Sequence, residues 1–113
     1  MIGRAHRFHG YGSLRAVYQR GKTAHAPALN LRYSQRDSNK PYRVAVVVSR
    51  KVSKSAVVRN RIRRRIYEAV RRHDTLIPAG TDLVFTVFGE HLAELDAGKL
   101  ELTIAGLLQK AAG

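Results

Sequence analysis

Apolar residues recur at helical spacing in the segment that ends at Arg72, and this is the clearest pattern of hydrophobic and polar positions in the chain. They follow one another at i, i+4, i+8, i+11 and i+12, which places them on one side of an α-helix. These positions are Val58, Ile62, Ile66, Ala69 and Val70. Ser55 is a candidate N-cap, and Pro78 and Gly80 lie beyond the end. The pattern predicts an amphipathic helix whose apolar stripe faces a core.

Three further segments have strand patterns, and another has a helix pattern. Residues 29–34 alternate between apolar and polar, whereas residues 43–49 are apolar on both faces and rich in valine. We expect the valine-rich strand to lie centrally in a sheet and to form a hairpin with the strand before it. Residues 81–88 predict a third strand, and apolar residues at helical spacing predict a C-terminal helix over residues 100–111.

A short helix before the first strand completes the predicted order. Ser13 is its candidate N-cap, and Gly21 would end it. Its apolar face would consist of Leu14, Val17 and Tyr18. The order is then α-β-β-α-β-α, which is typical of an α+β fold with helices packed on a small sheet. The 113 residues and 44% hydrophobic content fit one domain, residues 1–113, that buries a core without disulfides.

The charge of the chain is strongly positive and unevenly distributed. Residues 1–73 carry 19 of the 21 Lys and Arg, whereas residues 74–113 carry six of the eight acids. Seven arginines lie between Arg59 and Arg72 on the predicted helix, with Glu68 as the one acid among them. A field of one sign favours binding to phosphates, because counterion release drives such binding. A membrane surface is the less favoured alternative, since the apolar stripe is used by the core.

The predicted helix would present its polar residues in three groups. Opposite the stripe we expect Asn60, Arg64, Tyr67 and Arg71. One flank would carry Arg61, Arg65 and Arg72, and the other would carry Arg59 and Arg63.

The composition disfavours several kinds of site. The chain has no cysteine, which excludes disulfides and cysteine-ligated zinc. His6 and His9 have a spacing that a metal site uses, but no nearby acid completes a ligand set, so we expect no metal site. The acids are scattered and no phosphate loop follows a strand, so we expect no catalytic residue. No apolar run has the length of a signal peptide or a membrane span, and the expected location is cytoplasmic.

The motif around the arginines resembles a known family. In the bacterial ribonuclease P protein subunit, Ala-Val-x-Arg-Asn-x-x-Lys-Arg follows a valine-rich strand. The residues that carry the resemblance are Lys51, Ala56, Val57, Arg59, Asn60, Arg63, Arg64 and Glu68. Further counterparts are Arg7, Phe8, Val17, Tyr18, Gly21, Lys22, Tyr33, Pro78, Gly80 and Asp82. Three departures are Arg63 in place of lysine, Tyr67 in place of arginine, and Ser13-Leu14 in place of an acidic-Phe pair.

The resemblance implies a protein that assists a catalytic RNA in the 5′ maturation of precursor tRNA, with the hydrolysis performed by the RNA. It implies a fold like domain 2 of ribosomal protein S5, with a left-handed β-α-β crossover that general topology rules disfavour. Mg²⁺ would be held mainly by the RNA subunit. The implied partners are the ribonuclease P RNA and precursor tRNA, with no membrane and no obligate protein partner.

The resemblance also assigns site residues. The RNA-binding residues it implies are Lys51, Arg59, Asn60, Arg61, Arg63, Arg64 and Arg65. A cleft between the sheet and the first helix would hold the single-stranded 5′ leader and be lined by Tyr18, Tyr33 and Tyr67. For Tyr18 and Tyr33 the alternative is a core role, because both lie on apolar faces.

Two other classes of protein share part of the pattern. A ribosomal protein would share the charge, size and α+β fold, but it would need no leader cleft. A helix-turn-helix DNA-binding protein would need a short helix just before the arginine helix, where this chain has a valine-rich strand.

Overall fold

The computed structural model of the protein describes residue 6 and residues 17–36 and 39–112. The predicted cap Ser13, and Leu14 with it, lie outside these residues. Residues 17–20 are helical, and the chain leaves this helix at Gly21, whose N–H donates to the carbonyl oxygen of Val17 at 2.7 Å. A Cβ at residue 21 would lie 2.4 Å from that oxygen, so the tight exit requires glycine.

One four-stranded sheet organises the described part of the chain. Its strands are β1 (Lys22–Ala26), β2 (Leu29–Gln35), β3 (Arg43–Val47) and β4 (Thr81–Val87). Their order across the sheet is β1-β2-β4-β3, in which β2 pairs antiparallel with β1 and β4, and β3 pairs parallel with β4. In this register Leu31 lies opposite Phe85, which in turn lies opposite Val46.

Two helices pack on one face of this sheet, α1 (Ala56–Arg72) and α2 (Ala97–Ala112), and short 3₁₀ helices follow α1 and β4 at Asp74–Leu76 and Glu90–Ala93. The predicted N-cap is confirmed, because the Ser55 hydroxyl accepts from the Val58 N–H at 3.3 Å. The predicted stripe is confirmed as well. Its buried members are Ile62, Ile66, Ala69 and Val70, and Val58 packs at their margin. Each fully buried isoleucine contributes about 1.5–3 kcal/mol of transfer free energy.

The α+β fold class is confirmed, but two predictions about the sheet are wrong. β3 forms no hairpin with β2, and it lies at an edge of the sheet rather than in the centre. The reason is that α1 carries the chain back across the sheet, and β4 then inserts between β2 and β3. The predicted order also lacks β1, whose sequence Lys-Thr-Ala-His-Ala has weak β-propensity. The β-α-β unit that the family resemblance implies is present as β3-α1-β4, and its handedness stays a prediction.

The two faces of the sheet have different surroundings. The face under α1 and α2, the helix face, carries Leu29, Leu31 and Tyr33 of β2, which all pack in or against the main core. Side chains alternate along a strand, so Arg32 points to the other face, the open face. There its guanidinium donates to the carbonyl oxygens of Tyr18 and Gly21. The helical residues 17–20 therefore lie over the open face.

Candidate nucleic-acid interface

One flank of α1 is tied to the C-terminal half of the chain. Arg65 donates through Nη1 to the carbonyl oxygen of Leu92 at 2.6 Å and through Nη2 to the carbonyl oxygen of Leu95. On the same flank, Arg72 pairs with Glu101 at 2.9 Å and Arg61 approaches Glu94 at 3.9 Å. The sequence placed these three arginines on one flank, and the structure confirms it. Their guanidinium groups already have partners within the protein.

The rest of the helix surface is less engaged. Arg63 donates to the side-chain oxygen of Asn60, one turn earlier on the same helix. Arg64 is exposed and forms no hydrogen bond or ion pair with any residue that the structure describes. We call Asn60, Arg63 and Arg64 together the outer surface of α1. It presents two guanidinium groups that no acid neutralises within the described part of the chain.

Two more arginines of α1 have local partners. Arg59 donates through Nη1 to the carbonyl oxygens of Ser53 and Lys54, at 2.9 and 3.0 Å. It therefore holds the loop that leads into the helix. At the other end, Arg71 forms a two-point contact with the Glu68 carboxylate and holds the pKa of that carboxyl below its usual value.

Lys51 lies apart from the outer surface of α1, in a groove of about 240 Å³ on the open face. The groove is also lined by Val47, Thr86 and Phe88. Phe88 is 60% exposed, which is unusual for an aromatic ring without a partner. The sequence analysis included Phe88 in the predicted strand over residues 81–88 but gave it no role. A large aromatic residue at the end of the predicted strand, on the same face as Thr86, was the available signal.

Arg32 joins the first helix to the open face. Its guanidinium lies 5.9 Å from the centre of the Tyr18 ring, within the range of a cation–π contact, and donates to the Thr23 hydroxyl at 3.3 Å. The Tyr18 side chain remains 43% exposed. Tyr18 thus has a ring face available beside a cationic group. Sequence reasoning gave Arg32 no role, since its alternation with apolar neighbours marked it only as a solvent-facing strand residue.

The structure does not bring the three predicted cleft tyrosines together. Tyr18 lies on the open face, whereas Tyr33 lies two residues from Leu31 in β2 and so belongs to the helix face. Tyr67 packs against the core, and its hydroxyl accepts from the Val46 N–H at 3.2 Å on the outer edge of β3. The expectation that Tyr67 lies opposite the apolar stripe is therefore wrong. Its hydroxyl instead pairs with the Val46 N–H, which would otherwise lack a partner at the edge of the sheet.

The remaining candidate groups take part in packing. His6 stacks on the Tyr42 ring with 3.9 Å between ring centres, and the Tyr42 hydroxyl donates to Asp74 at 3.2 Å. Burial and the Asp74 carboxylate raise the pKa of that hydroxyl above its usual value. His9 lies outside the described residues. Among residues 6, 17–36 and 39–112, no three His, Asp or Glu side chains are grouped as metal ligands. No helix in the same part of the chain has the length and apolarity needed to cross a bilayer.

Comparison with known proteins shows the family to which the chain belongs. Residues 2–112 match the family described as Ribonuclease P. The chain is 40% identical over 81 residues to the ribonuclease P protein component of Brevibacillus brevis, covering 72% of this chain and 64% of that protein. It is 37% identical over 108 residues to the component of Chloroflexus aurantiacus, covering 96% and 78%. The chain thus spans just under two thirds of the Brevibacillus relative.

Solved structures share the fold. The Staphylococcus aureus RNase P protein superimposes with a TM-score of 0.80 at 20% identity, over 96% of both chains. The RNase P protein from Thermotoga maritima gives a TM-score of 0.74 at 24% identity, over 86% of this chain and 89% of that one.

Proposed function

The chain belongs to the ribonuclease P protein family, and from this premise we propose that it is the protein subunit of a ribonuclease P. In this role it binds the catalytic RNA and the 5′ leader of precursor tRNA and promotes endonucleolytic removal of the leader in the cytoplasm. The observation that carries the proposal is the outer surface of α1, where Arg63 and Arg64 lack acidic partners among the described residues while the rest of the family motif surrounds them.

The outer surface of α1 would bind the backbone of the catalytic RNA. A guanidinium group offers paired N–H donors that match two phosphate oxygens, and each contact releases condensed counterions. Within the described part of the chain, Arg64 gives up no internal bond on binding, and Arg63 exchanges only the bond to Asn60. The Asn60 amide would then be free to contact a phosphate or a 2′-hydroxyl group.

The open face would bind the leader. A single strand binds through stacking of its bases on aromatic rings and through cations along its backbone. The exposed rings of Tyr18 and Phe88 supply the first requirement, and Lys51 and Arg32 supply the second. This assignment retains Tyr18 from the sequence prediction and replaces Tyr33 and Tyr67, which lie elsewhere.

Chemistry belongs to the RNA in this proposal. The Mg²⁺ ions of the holoenzyme would be held mainly by the RNA, as the family resemblance implies, and would supply nucleophile activation and charge neutralisation there. The protein adds fixed positive charge, which substitutes for part of the cation requirement of the folded RNA.

Single-turnover cleavage of precursor tRNA by the cognate RNA tests the activity. We expect the protein to raise the rate at low Mg²⁺, with a smaller effect at high Mg²⁺, because the added cations compete with the fixed charge. The protein without RNA serves as the control and should cleave nothing. An unchanged rate at low Mg²⁺ would reject the proposed function.

Two alanine variants test the proposed leader-binding site on the open face, which we call the leader groove. Tyr18→Ala and Phe88→Ala should each weaken binding of leader-bearing precursor tRNA to the holoenzyme roughly five- to hundredfold, since stacking contributes about 1–3 kcal/mol per base. Binding of mature tRNA should stay the same. Leu102→Ala is the matched control, because Leu102 is 76% exposed on α2, away from the open face. Equal losses for precursor and mature tRNA would place the leader elsewhere.

A further inference from the structure

A second cationic cavity, of about 640 Å³, lies at the end of the sheet where β3 and β4 begin. Four cationic side chains line it, namely Arg20, Lys22, Arg36 and Arg43. The one acid among its described lining residues is Asp82. Asp37 follows Arg36 in the sequence. If its charge is included, the four cations still exceed the two acids by two positive charges. Lys22 is one of the further counterparts in the family resemblance, but none of the four cations belongs to the arginine motif of α1 or to the two surfaces assigned above.

Asp82 holds two of these arginines in fixed positions. It is only 4% exposed, and its carboxylate accepts from Arg36 Nε at 2.8 Å and from Arg43 Nε and Nη2 at 2.9 and 2.7 Å. Charge-assisted bonds of this length fix both guanidinium groups at the ends of their strands. Both side chains remain about a quarter exposed, at 24% and 21%. A bound anion would therefore meet two pre-oriented guanidinium groups, with little loss of side-chain entropy.

The rim of the cavity adds mobile charge and one ring. Arg20 and Lys22 are exposed and form no hydrogen bond or ion pair with the described residues. Tyr33 also lines the cavity, half-buried, with the polar side chains of Gln35 and Thr81 nearby. Its volume exceeds what a single phosphate group fills and falls in the range of about 300–1,000 Å³ found for larger ligands. Cationic side chains that can bind a phosphate, next to an aromatic ring that can stack on a base, suit a nucleotide within an RNA strand.

The cavity is distant from the outer surface of α1 and from the end of the open face that carries Lys51 and Phe88. The other end of the open face lies beside its rim, because Arg32 donates to the carbonyl oxygen of Gly21, between Arg20 and Lys22. Lys51 and Phe88 follow the ends of β3 and β4, whereas the cavity lies where these parallel strands begin. A strand with the seven residues of β4 is about 23 Å long. Asn60, Arg63 and Arg64 belong to the first half of α1, which starts at the far end of the sheet and runs towards the cavity. One short RNA segment cannot occupy the outer surface of α1, the Lys51–Phe88 end of the open face and the cavity together.

We propose that this cavity is a second RNA-binding site, which takes a phosphodiester and its adjoining nucleotide from a segment other than those on α1 and in the leader groove. Arg36 and Arg43 would hold the phosphate, Arg20 and Lys22 would contact the flanking backbone, and Tyr33 would stack on the base. The site rests on the proposed function, which makes RNA the expected ligand. The segment comes either from the catalytic RNA or from the body of the precursor tRNA.

The test removes charge from the rim, because loss of Arg36 or Arg43 would remove one of the two arginine partners of the buried Asp82 carboxylate and destabilise the fold. The variant is Arg20→Gln with Lys22→Gln. The matched control, Lys99→Gln with Lys110→Gln, removes the same charge from exposed positions on α2 outside the cavity lining. Equal melting temperatures for both variants and the wild type establish that the fold is intact.

Two RNA probes are titrated over a range of NaCl concentrations. The first is the cognate catalytic RNA with protein alone, and the second is precursor tRNA with the assembled holoenzyme. In one of these titrations we expect the rim variant to lose roughly tenfold in affinity at physiological salt and about 1.4–1.8 units of log–log salt slope, since two phosphate contacts are lost. The control should stay within about twofold of the wild type, because its charges lie off the contact.

Each outcome decides the proposal. A loss in the first titration assigns the bound segment to the catalytic RNA, and a loss confined to the second assigns it to the precursor tRNA. Wild-type affinity and slope in both titrations, or an equal loss in the control, would overturn the second site while the proposed function stands. Wild-type protein that binds neither RNA would overturn the proposed function and this site with it.

Discussion

The two sides of α1 carry the same residue type and put it to different uses. On the flank towards the C-terminal half, Arg65 donates to two backbone carbonyls and Arg72 pairs with Glu101. On the outer surface, the hydrogen bonds and ion pairs with described residues reduce to one, from Arg63 to Asn60, and Arg64 has none. The number of arginines on a helix therefore does not tell how many of them can bind RNA.

The difference follows from how the chain distributes its charge. The acidic C-terminal segment folds against one flank of α1 and places Glu94 and Glu101 beside it. Exposed ion pairs of this kind contribute only about 0–1 kcal/mol each, so their main effect is to reduce the positive field on that flank. The helix thereby acquires one side that holds the fold and another side that, in the proposed function, binds RNA.

The largest expected effect tests the structural side. Arg65→Met keeps the unbranched stem but removes both donors, so the carbonyl oxygens of Leu92 and Leu95 lose their partner. We expect the free energy of unfolding to fall by about 1–3 kcal/mol, the penalty for leaving partly buried acceptors unsatisfied. Urea unfolding followed by circular dichroism measures it. The control is Arg64→Met on the outer surface, which should change the same quantity by less than about 0.5 kcal/mol. Equal urea midpoints for Arg65→Met and Arg64→Met would show that the two sides of α1 do not differ in their contribution to stability.

The next effect tests the ligand side. Arg63→Gln with Arg64→Gln should weaken binding of the catalytic RNA on the order of tenfold at physiological salt and lower the salt slope by about 1.4–1.8 units. Arg71→Gln with Arg72→Gln removes the same charge from residues that pair with Glu68 and Glu101. This second pair should lose clearly less affinity in filter-binding titrations. If both pairs lose the same, net charge alone governs binding and the two sides of α1 are equivalent.

What the sequence could predict was what depends on local periodicity. The stripe of α1, its Ser55 cap, the alternation of β2 and the presence of strand β4 are all set by neighbours within a few residues, and the structure confirms them. The motif around Arg59 also identified the family. The helical period of 100° per residue also placed Arg61, Arg65 and Arg72 on one flank of α1, as the structure has them.

What the sequence could not predict depends on contacts between distant segments. Nothing in the pattern of the valine-rich strand tells that β4 will insert beside it and leave it at an edge. The acceptors of Arg65 lie 27 and 30 residues further along the chain. Tyr33 was assigned to the cleft by resemblance, although its alternation with Leu31 placed it on the helix face. A strict application of the strand period would have selected Arg32 instead.

The smallest expected effect sharpens the comparison from the acidic side. Glu94 lies 3.9 Å from Arg61, and both side chains are largely exposed, so their attraction adds little to stability. Glu94→Gln releases Arg61 and adds one unit of positive charge beside α1. We expect the catalytic RNA to bind about two- to threefold more tightly at low salt, with the gain lost near 1 M salt, where the Debye length falls to about 3 Å.

Glu94→Asp, which keeps the charge, should bind as the wild type does. The unfolding midpoint should not move in either variant. Unchanged affinity of Glu94→Gln at low salt would mean that this flank faces away from the bound RNA, and that the outer surface alone defines the interface on α1.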